Sequence, residues 1–356
     1  MHKKQKIIVI VGPNASGKSE LGVKLAKKLN GEIISADSRQ VYRGLDLGSG
    51  KVPGVWRKAY GAKRFVYKGI HHHCIDIADP KKVFTALDFK HCAQKAITMI
   101  YHSGKTPIIV GGTGFYIDAA LGRIKLGGVP PNLKLRKKLA NKSPTELLKM
   151  LKKLDPKRAE IIEQKNPRRL VRAIEIASAS RGDRNADSLA FLPSRLRKKR
   201  HGIDFAGFEA SEHGFLRSKN REASTLSPDA GRDEESKINT MAPIWFGIKR
   251  PPEKLKKRIH ARLLRRLPGI IREVKKLHAG GVSWKRLYDL GLEYRYASLY
   301  LRDKLTKDEM TQKILIESWH YAKRQMTYFK KNKGIRWISA NKEALRRVPI
   351  SIKNGK

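Results

Sequence analysis

The sequence is poor in cysteine, in aromatic residues and in negative charge. Its 356 residues include two cysteines, Cys74 and Cys92, and 7% aromatic residues. Two cysteines suggest no disulfide framework and indicate a reducing compartment. Asp and Glu number 32 against 78 Lys and Arg, which gives a formal net charge of +46. Such an excess is typical of proteins that meet nucleic acid or an anionic membrane, although a lysine-rich proteome would produce it too.

Long apolar runs are also missing. The N-terminal run Ile7–Val11 is too short for the core of a signal peptide and leads directly into a glycine turn. No segment approaches the roughly 18 apolar residues that a membrane span requires. We therefore expect a cytoplasmic protein with no membrane partner.

The first third of the chain alternates between short apolar runs and amphipathic stretches. The predicted elements are a strand at Ile7–Val11, a helix over about 18–29, a strand over 32–36, a helix over 85–100 and a strand over 107–110. Strands that alternate with helices predict an α/β fold with a mostly parallel sheet.

The pattern becomes helical from about Asn132. Helix starts with an N-cap residue before proline occur at Ser143-Pro144, Asp155-Pro156 and Asn166-Pro167. A strand over 243–248, helices over 252–277, 293–301 and 307–330, and a strand near Trp337 follow. We predict a core formed by 1–131 and 243–356, a helical accessory subdomain over 132–182, and a disordered basic insertion over 183–242.

A phosphate-binding motif follows the first strand. Gly12 to Ser19 reads GPNASGKS and matches the P-loop pattern G-x-x-x-x-G-K-[ST], in the strand–loop–helix context that the motif requires. Backbone amides of such a loop and the positive end of the next helix bind phosphate. Lys18 would bridge phosphate oxygens, and Ser19 would coordinate Mg²⁺. The fold class is thus a P-loop NTPase-like parallel sheet flanked by helices.

Two further segments come at the carboxyl ends of predicted strands. Asp37 follows the second strand, and Gly111-Gly112 with Thr113 follows the strand over 107–110. Open α/β sheets place their ligands at this edge. Taken alone, Asp37 could equally be a helix N-cap or a metal-site residue, and the glycines could form only a tight turn.

Histidines and aromatic residues elsewhere favour structural interpretations. His71, His72 and His73 precede Cys74, but consecutive residues cannot all point at one ion, so we do not expect a metal site there. Trp319, Tyr321 and Tyr328 in the C-terminal helix are interpreted as core residues.

Six blocks in order resemble the tRNA dimethylallyltransferase family, also called tRNA isopentenyltransferases. They read GPNASGKS, ADSRQVYRGLDLGSGKVP, HHHCIDIADP, IIVGGTGFY, NPRRLVRAIEI and AKRQMTYF. The segment Leu290–Arg295 resembles the family's G-Y-R block with extra residues. The C-terminus lacks the Cys and His pairs of the zinc finger in eukaryotic members, which favours the bacterial type.

The resemblance implies transfer of a dimethylallyl group from dimethylallyl diphosphate to N6 of the adenosine 3′ of the tRNA anticodon. It implies that the donor diphosphate and Mg²⁺ lie at the loop residues Gly12, Pro13, Asn14, Ala15, Ser16, Gly17, Lys18 and Ser19. It implies that Asp37 is the general base and that Thr113 lies near the acceptor nucleotide. Arg262 would reach the diphosphate from outside the loop.

The resemblance also implies contacts with a tRNA anticodon stem-loop. We expect the protein itself to be a monomer. The matching residues are Asp37, Ser38, Arg39, Gln40, Thr113, Arg136, Arg168, Arg169, Leu170, Val171 and Arg172. Two other functions share parts of the pattern. A P-loop kinase of small molecules or nucleosides would use Lys18 and Ser19 in the same way, and a basic RNA-binding protein with a vestigial loop would show the same charge.

Overall fold

The structure, a computed structural model, describes residues 6–182, except 60, 125 and 127, and residues 242–339. The insertion predicted over 183–242 lies outside the described residues, apart from Ala242 at the start of a strand. Within the described ranges, no helix combines the length and the apolar character needed to cross a membrane.

A single eight-stranded sheet forms the centre of the fold. In chain order its strands are β1 (Lys6–Val11), β2 (Gly31–Ala36), β3 (Val55–Ala59), β4 (Ala62–Tyr67), β5 (Ile70–His73), β6 (Thr106–Gly111), β7 (Ala242–Lys249) and β8 (Arg336–Ser339). Their order across the sheet is β3-β4-β5-β2-β6-β1-β7-β8. All neighbouring strands from β5 to β8 are parallel, which confirms the predicted α/β sheet.

Helices connect and cover these strands. They are α1 (Lys18–Lys28), α2 (Ala86–His102), α3 (Gly114–Ala120), α4 (Leu133–Leu139), α5 (Pro144–Leu154), α6 (Pro156–Ile161), α7 (Pro167–Gly182), α8 (Pro252–Ala279), α9 (Trp284–Leu290), α10 (Leu292–Tyr300) and α11 (Lys307–Lys330). Helix α8 continues through Pro268.

The central parallel strands of the sheet are buried on both faces, as a parallel sheet requires. On one face, Ile8 and Ile10 of β1 pack with Leu21 and Leu25 of α1. On the other face, alternate residues of the same strand pack with α2, α3 and the C-terminal helices. The apolar runs of β1, β2 and β6 therefore mark the central strands, and the carboxyl ends of these strands meet at one edge.

The antiparallel strands β3 and β4 were not predicted from the sequence. Residues 55–67 are rich in Lys and Arg, and most of the strand residues are exposed. The ladder pairs Val55 with Val66, and β4 then pairs antiparallel with β5. Because these strands add to the border of a sheet that is already formed, they need no continuous apolar run.

The two cysteines form a disulfide, Cys74–Cys92, with a Cα–Cα distance of 6.1 Å. The expectation of no disulfide from the sequence was therefore wrong for this structure. The pairing depends on α2 packing beside the end of β5, and the spacing of the two residues in the sequence carries no sign of that packing.

The chain divides into two compact units, one within Met1–Leu126 and Leu226–Lys356 and the other within Gly127–Thr225. The second unit has its own core, in which Leu147, Leu151 and Leu170 are fully buried. The predicted N-caps Ser143 and Asp155 accept hydrogen bonds from the amides of Glu146 and Arg158 at the starts of α5 and α6. The exact boundaries of the predicted subdomain stay a prediction.

Glu175 is the buried charge of the second unit. It accepts two hydrogen bonds from Arg136, at 2.7 and 2.9 Å, one from Arg172 at 3.0 Å, and one from the amide of Asn132 at 2.9 Å. Burial alone would raise the pKa of Glu175, but these donors outweigh it and lower the pKa to about 2. The network ties α4 and the segment before it to α7.

Replacing Glu175 with Gln should destabilise the second unit by about 2 kcal/mol at neutral pH, because two arginines lose their common carboxylate. Since the folded pKa is lowered, this stabilisation is present above the ordinary carboxyl pKa of about 4.3 and is lost as the pH falls toward 2. Hydrogen exchange of the α7 amides should show a difference between wild type and variant that shrinks from pH ~5 to pH ~3. Glu163→Gln, which breaks the exposed pair with Arg169, is the matched control and should change little. Equal exchange in wild type and Glu175→Gln at neutral pH would contradict the role of this network.

Candidate active site

The P-loop residues Gly12 to Ser19 connect β1 to α1, as predicted. Gly17 has φ +106°, a left-handed conformation that favours glycine, and it precedes the first helical residue, Lys18. Three loop carbonyls accept hydrogen bonds from cations: Pro13 from Lys18 at 2.7 Å, Ala15 from Arg258 at 2.9 Å and Ser16 from Arg250 at 2.9 Å. In a trans peptide the N–H points opposite to the carbonyl. The Gly17 amide, which follows the Ser16 carbonyl, is thus turned away from Arg250, whereas the amides of Asn14 and Ser16 donate to Gln325 at 2.7 Å and to the Pro13 carbonyl at 3.3 Å.

Gln325 of α11 joins the two glycine-rich turns. Its side-chain oxygen accepts from the amide of Asn14 at 2.7 Å, and its side-chain nitrogen donates to the carbonyl of Gly112 at 2.9 Å. A Cβ at Gly112 would displace the end of this side chain, so the absence of a side chain at Gly112 leaves room for Gln325. Gln325 is 5% exposed. The C-terminal helix therefore holds the loop after β1 and the loop after β6 together.

A cleft of about 900 Å³ opens at the carboxyl edge of the sheet. Residues from the P-loop to α11 line it, and positive side chains outnumber negative ones. The positive residues are Lys18, Arg39, Lys51, Arg258, Arg262, Arg265, Arg266, Arg295 and Arg324, and the negative ones are Glu20, Asp37, Glu293 and Glu317. This charge balance suits a polyanionic ligand.

Lys18, Arg262 and Asp37 interact electrostatically in this cleft. The pKa of Lys18 is lowered to about 8, because burial, assisted by the charge of Arg262, outweighs the opposing effect of Asp37. Burial together with Arg262 and Arg265 lowers the pKa of Arg266 to about 10. Clustered, partly desolvated cations of this kind gain most from a bound anion.

Several buried polar atoms around the loop make no hydrogen bond with the described residues. They are Asn14 Oδ1, Ser16 Oγ and Arg266 Nη1. Buried polar groups are normally paired, and two of these atoms belong to residues that line the cleft, Asn14 and Arg266. Together with Lys18 and the Ser19 hydroxyl, the donor set fits a diphosphate with an associated Mg²⁺.

Asp37 lies at the end of β2, where it was predicted. Its Oδ1 accepts from the amides of Arg39 at 2.9 Å and Gln40 at 3.3 Å, so this carboxylate also holds the turn that follows the strand. The amide of Ser38 donates to the Thr113 hydroxyl at 3.2 Å. Asp37, Ser38, Arg39 and Gln40 line the cleft, whereas Thr113 does not and instead supports their turn.

The remaining residues predicted to contact tRNA belong to the second unit. Arg136 and Arg172 bind the buried carboxylate of Glu175, and Arg172 also donates to the carbonyl of Val129 at 2.7 Å. Leu170 is fully buried, and Val171 packs against the same core. Arg169 pairs with Glu163 at 3.1 Å and keeps 65% of its side chain exposed. Arg168, beside it, is exposed as well, so Arg168 and Arg169 are the predicted residues of this unit whose exposure best suits contact with a large partner.

Sequence reasoning missed three residues of the cleft. Glu293 of α10 is half-buried, and desolvation raises its pKa, while Arg262 and Arg266 oppose the shift. Burial likewise raises the pKa of Tyr321, and the charge of Asp37 acts in the same direction. The expectation that Tyr321 is a core residue was therefore wrong, because its side chain lines the cleft. Arg266 repeats Arg262 one helical turn later, and this i, i+4 spacing was the available signal.

Comparisons with known proteins agree with this geometry. Residues 40–332 match the family model described as IPP transferase. A tRNA dimethylallyltransferase 1 from Geotalea uraniireducens (strain Rf4) is 35% identical, over 96% of this chain and 94% of that protein. The full-length tRNA isopentenylpyrophosphate transferase from Bacillus halodurans is 29% identical with a TM-score of 0.57, over 95% of this chain and 90% of that chain. A eukaryotic dimethylallyltransferase acting on tRNA shares the fold, at 23% identity and a TM-score of 0.63, over 98% of this chain and 77% of that chain. With its P-loop, its Asp37 turn and a match that spans most of its length, the chain belongs to the IPP transferase family.

Proposed function

We propose that this protein transfers a dimethylallyl group from dimethylallyl diphosphate to N6 of the adenosine 3′ of the tRNA anticodon, with release of diphosphate. The main support is that Asp37 and the cations Lys18 and Arg262 share one cleft and act on each other's charge. A proton acceptor beside a diphosphate clamp is what N-alkylation by an allylic diphosphate needs. The relatives named above carry this activity in their names.

The diphosphate end of the donor lies in the P-loop in this proposal. Lys18, Arg262 and Arg266 neutralise the charge that grows on the leaving group as the bond between the allylic carbon and oxygen breaks. Mg²⁺ held near the Ser19 hydroxyl would supply further charge neutralisation on the phosphate oxygens. Because the cations are already positioned by the fold, little reorganisation is needed during the reaction.

Asp37 accepts the proton of the adenine amine. An exocyclic amine is a weak nucleophile, and removal of its proton as the N6–carbon bond forms lowers the barrier. In the balanced step, the N6–carbon bond forms, the carbon–oxygen bond to diphosphate breaks, and one N6 proton passes to the carboxylate. The amides of Arg39 and Gln40 hold Asp37 in place for this transfer.

The acceptor adenosine must leave the stack of the anticodon loop to reach Asp37. Arg39 and Gln40 line the cleft beside Asp37, and the positive cleft would hold the neighbouring phosphates. Arg168 and Arg169 at the start of α7 are proposed as further backbone contacts. The proposed place of action is the cytoplasm, where tRNA and the diphosphate donor meet.

The kinase alternative is not favoured, because the relatives named above are tRNA-modifying transferases. Incubating the purified protein with unmodified tRNA and dimethylallyl diphosphate, followed by nucleoside mass spectrometry, tests the proposal. Isopentenylated adenosine is the expected product, and ATP in place of the donor should yield none. Phosphoryl transfer from ATP without prenylated tRNA would support the kinase instead. Binding of tRNA without turnover would support a binding protein.

Asp37→Asn should lower kcat by about 10²- to 10⁴-fold with little change in KM for tRNA. Asparagine keeps an oxygen for the amides of Arg39 and Gln40, so the turn is retained while the base is removed. Asp79→Asn is the matched control, because Asp79 accepts an amide hydrogen bond from Lys81, two residues on, at 2.8 Å and is absent from the residues lining the cleft. Near-normal turnover by Asp37→Asn would remove Asp37 from the mechanism.

The KM for dimethylallyl diphosphate should rise with pH above about 8. Lys18 binds the anion in its protonated form, and its lowered pKa of about 8 means that this form is lost well below the ordinary lysine value. Above the pKa the affinity should fall by up to about tenfold per pH unit. Steady-state kinetics between pH ~6.5 and ~9.5 measure this. Lys18→Arg stays charged throughout this range. The variant should bind dimethylallyl diphosphate more weakly at neutral pH, but its KM should not rise with pH. A KM that is flat across this range in the wild type would contradict the assignment.

A further inference from the structure

A second cluster of functional side chains lies on the sheet outside the cleft. His71 and His73 are two residues apart on β5, so they share one face of the sheet, while His72 faces the other side and lines the cleft. His73 pairs in register with Ile34 of β2. Glu32, two residues before Ile34, therefore lies on the same face as His71 and His73.

The ligand atoms of this cluster converge. Glu32 Oε2 is 3.0 Å from His71 Nδ1 and 2.7 Å from His73 Nε2, and the ligand atoms of all three residues lie within 4.8 Å of one another. The side chains are 18%, 12% and 10% exposed for His71, His73 and Glu32. Tetrahedral zinc sites have bonds of about 2.0–2.1 Å, which separates their ligand atoms by about 3.3 Å. Small side-chain adjustments would thus admit an ion at the centre of the cluster.

We propose that Glu32, His71 and His73 bind a divalent transition metal ion of the zinc class. Two imidazoles and one carboxylate are ligands that such ions prefer over Mg²⁺, which takes oxygen ligands in octahedral geometry. The ion would replace the ring protons that now face Glu32 Oε2, and water would complete the coordination. It would cross-link β2 to β5 on the face opposite the cleft, separately from the Mg²⁺ proposed at Ser19.

Lys105 would compete with the metal ion for the carboxylate of Glu32. Its Nζ lies 2.6 Å from Glu32 Oε1, the oxygen that the histidines do not contact. The lysine therefore leaves Oε2 to the ion but adds a positive charge beside it. Metal affinity should rise when this charge is removed, as nearby like charges oppose each other.

The test uses the full-length protein without an affinity tag, stripped of metal by a chelator. Co²⁺ is titrated in excess Mg²⁺ while the visible absorption of the ion is recorded, and Zn²⁺ binding is measured by equilibrium dialysis. One ion per chain is expected in the wild type. His71→Gln should weaken the affinity by more than about 100-fold, since loss of an outer partner alone costs 10- to 100-fold. His320→Gln is the matched control, because His320 also lies near a carboxylate, Glu317, at 3.8 Å, but is 45% exposed.

Lys105→Gln gives the complementary result. It should tighten Co²⁺ and Zn²⁺ binding at least about threefold, and a misfolded variant could not produce such a gain. Zn²⁺ should also raise the Tm of the wild type and of Lys105→Gln but not of His71→Gln. Binding that is absent from the wild type, or equal in wild type and His71→Gln, would overturn the proposal. None of these measurements depends on prenyl transfer.

Discussion

The cleft depends on the way in which side chains hold the backbone of the P-loop. Lys18, Arg250 and Arg258 donate hydrogen bonds to carbonyls of the loop. Gln325 accepts a hydrogen bond from the amide of Asn14. Arg250 and Arg258 come from the end of β7 and from α8, and Gln325 comes from α11. The loop proposed to bind phosphate is therefore shaped in part by residues more than 230 positions away in the sequence. Loss of these contacts would release the loop backbone from the conformation that these side chains hold.

A second constraint is the concentration of positive charge at the same edge. Arg262 and Arg266 lie one helical turn apart on α8, and both approach Gly50 of the loop after β2. Burying like charges costs free energy unless anions compensate them. Asp37 and Glu293 supply part of this compensation within the protein, and a bound diphosphate would supply the rest. Substrate binding and local stability are thus coupled through the same guanidinium groups.

Side chains behind the cleft also hold the loop between β2 and β3 in place. Glu273 of α8 accepts hydrogen bonds from the amides of Asp46, Leu47 and Gly48, and from the hydroxyl of Tyr294 at 2.8 Å. One carboxylate thereby fixes the segment that carries Gly50 toward Arg262. Tyr294 is buried and belongs to the same block of α10 as Glu293. The block that resembles the G-Y-R motif thus acts as a packing support as well as a wall of the cleft.

The sequence by itself determined the central elements and the chemistry of the loop. Continuous apolar runs specify β1, β2 and β6, because strands buried on both faces must be apolar throughout. The spacing of GPNASGKS specifies a phosphate loop, because glycine is needed for its backbone, and the N-cap and proline pairs mark α5, α6 and α7. The tertiary structure alone decided four other features. They are the register of the polar border strands, the Cys74–Cys92 pair, the convergence of Glu32 with His71 and His73, and the entry of Gln325, Arg266, Glu293 and Tyr321 into the cleft. These features join residues that are distant in sequence, and each depends on which helix face or strand face packs inward, which local patterns do not encode.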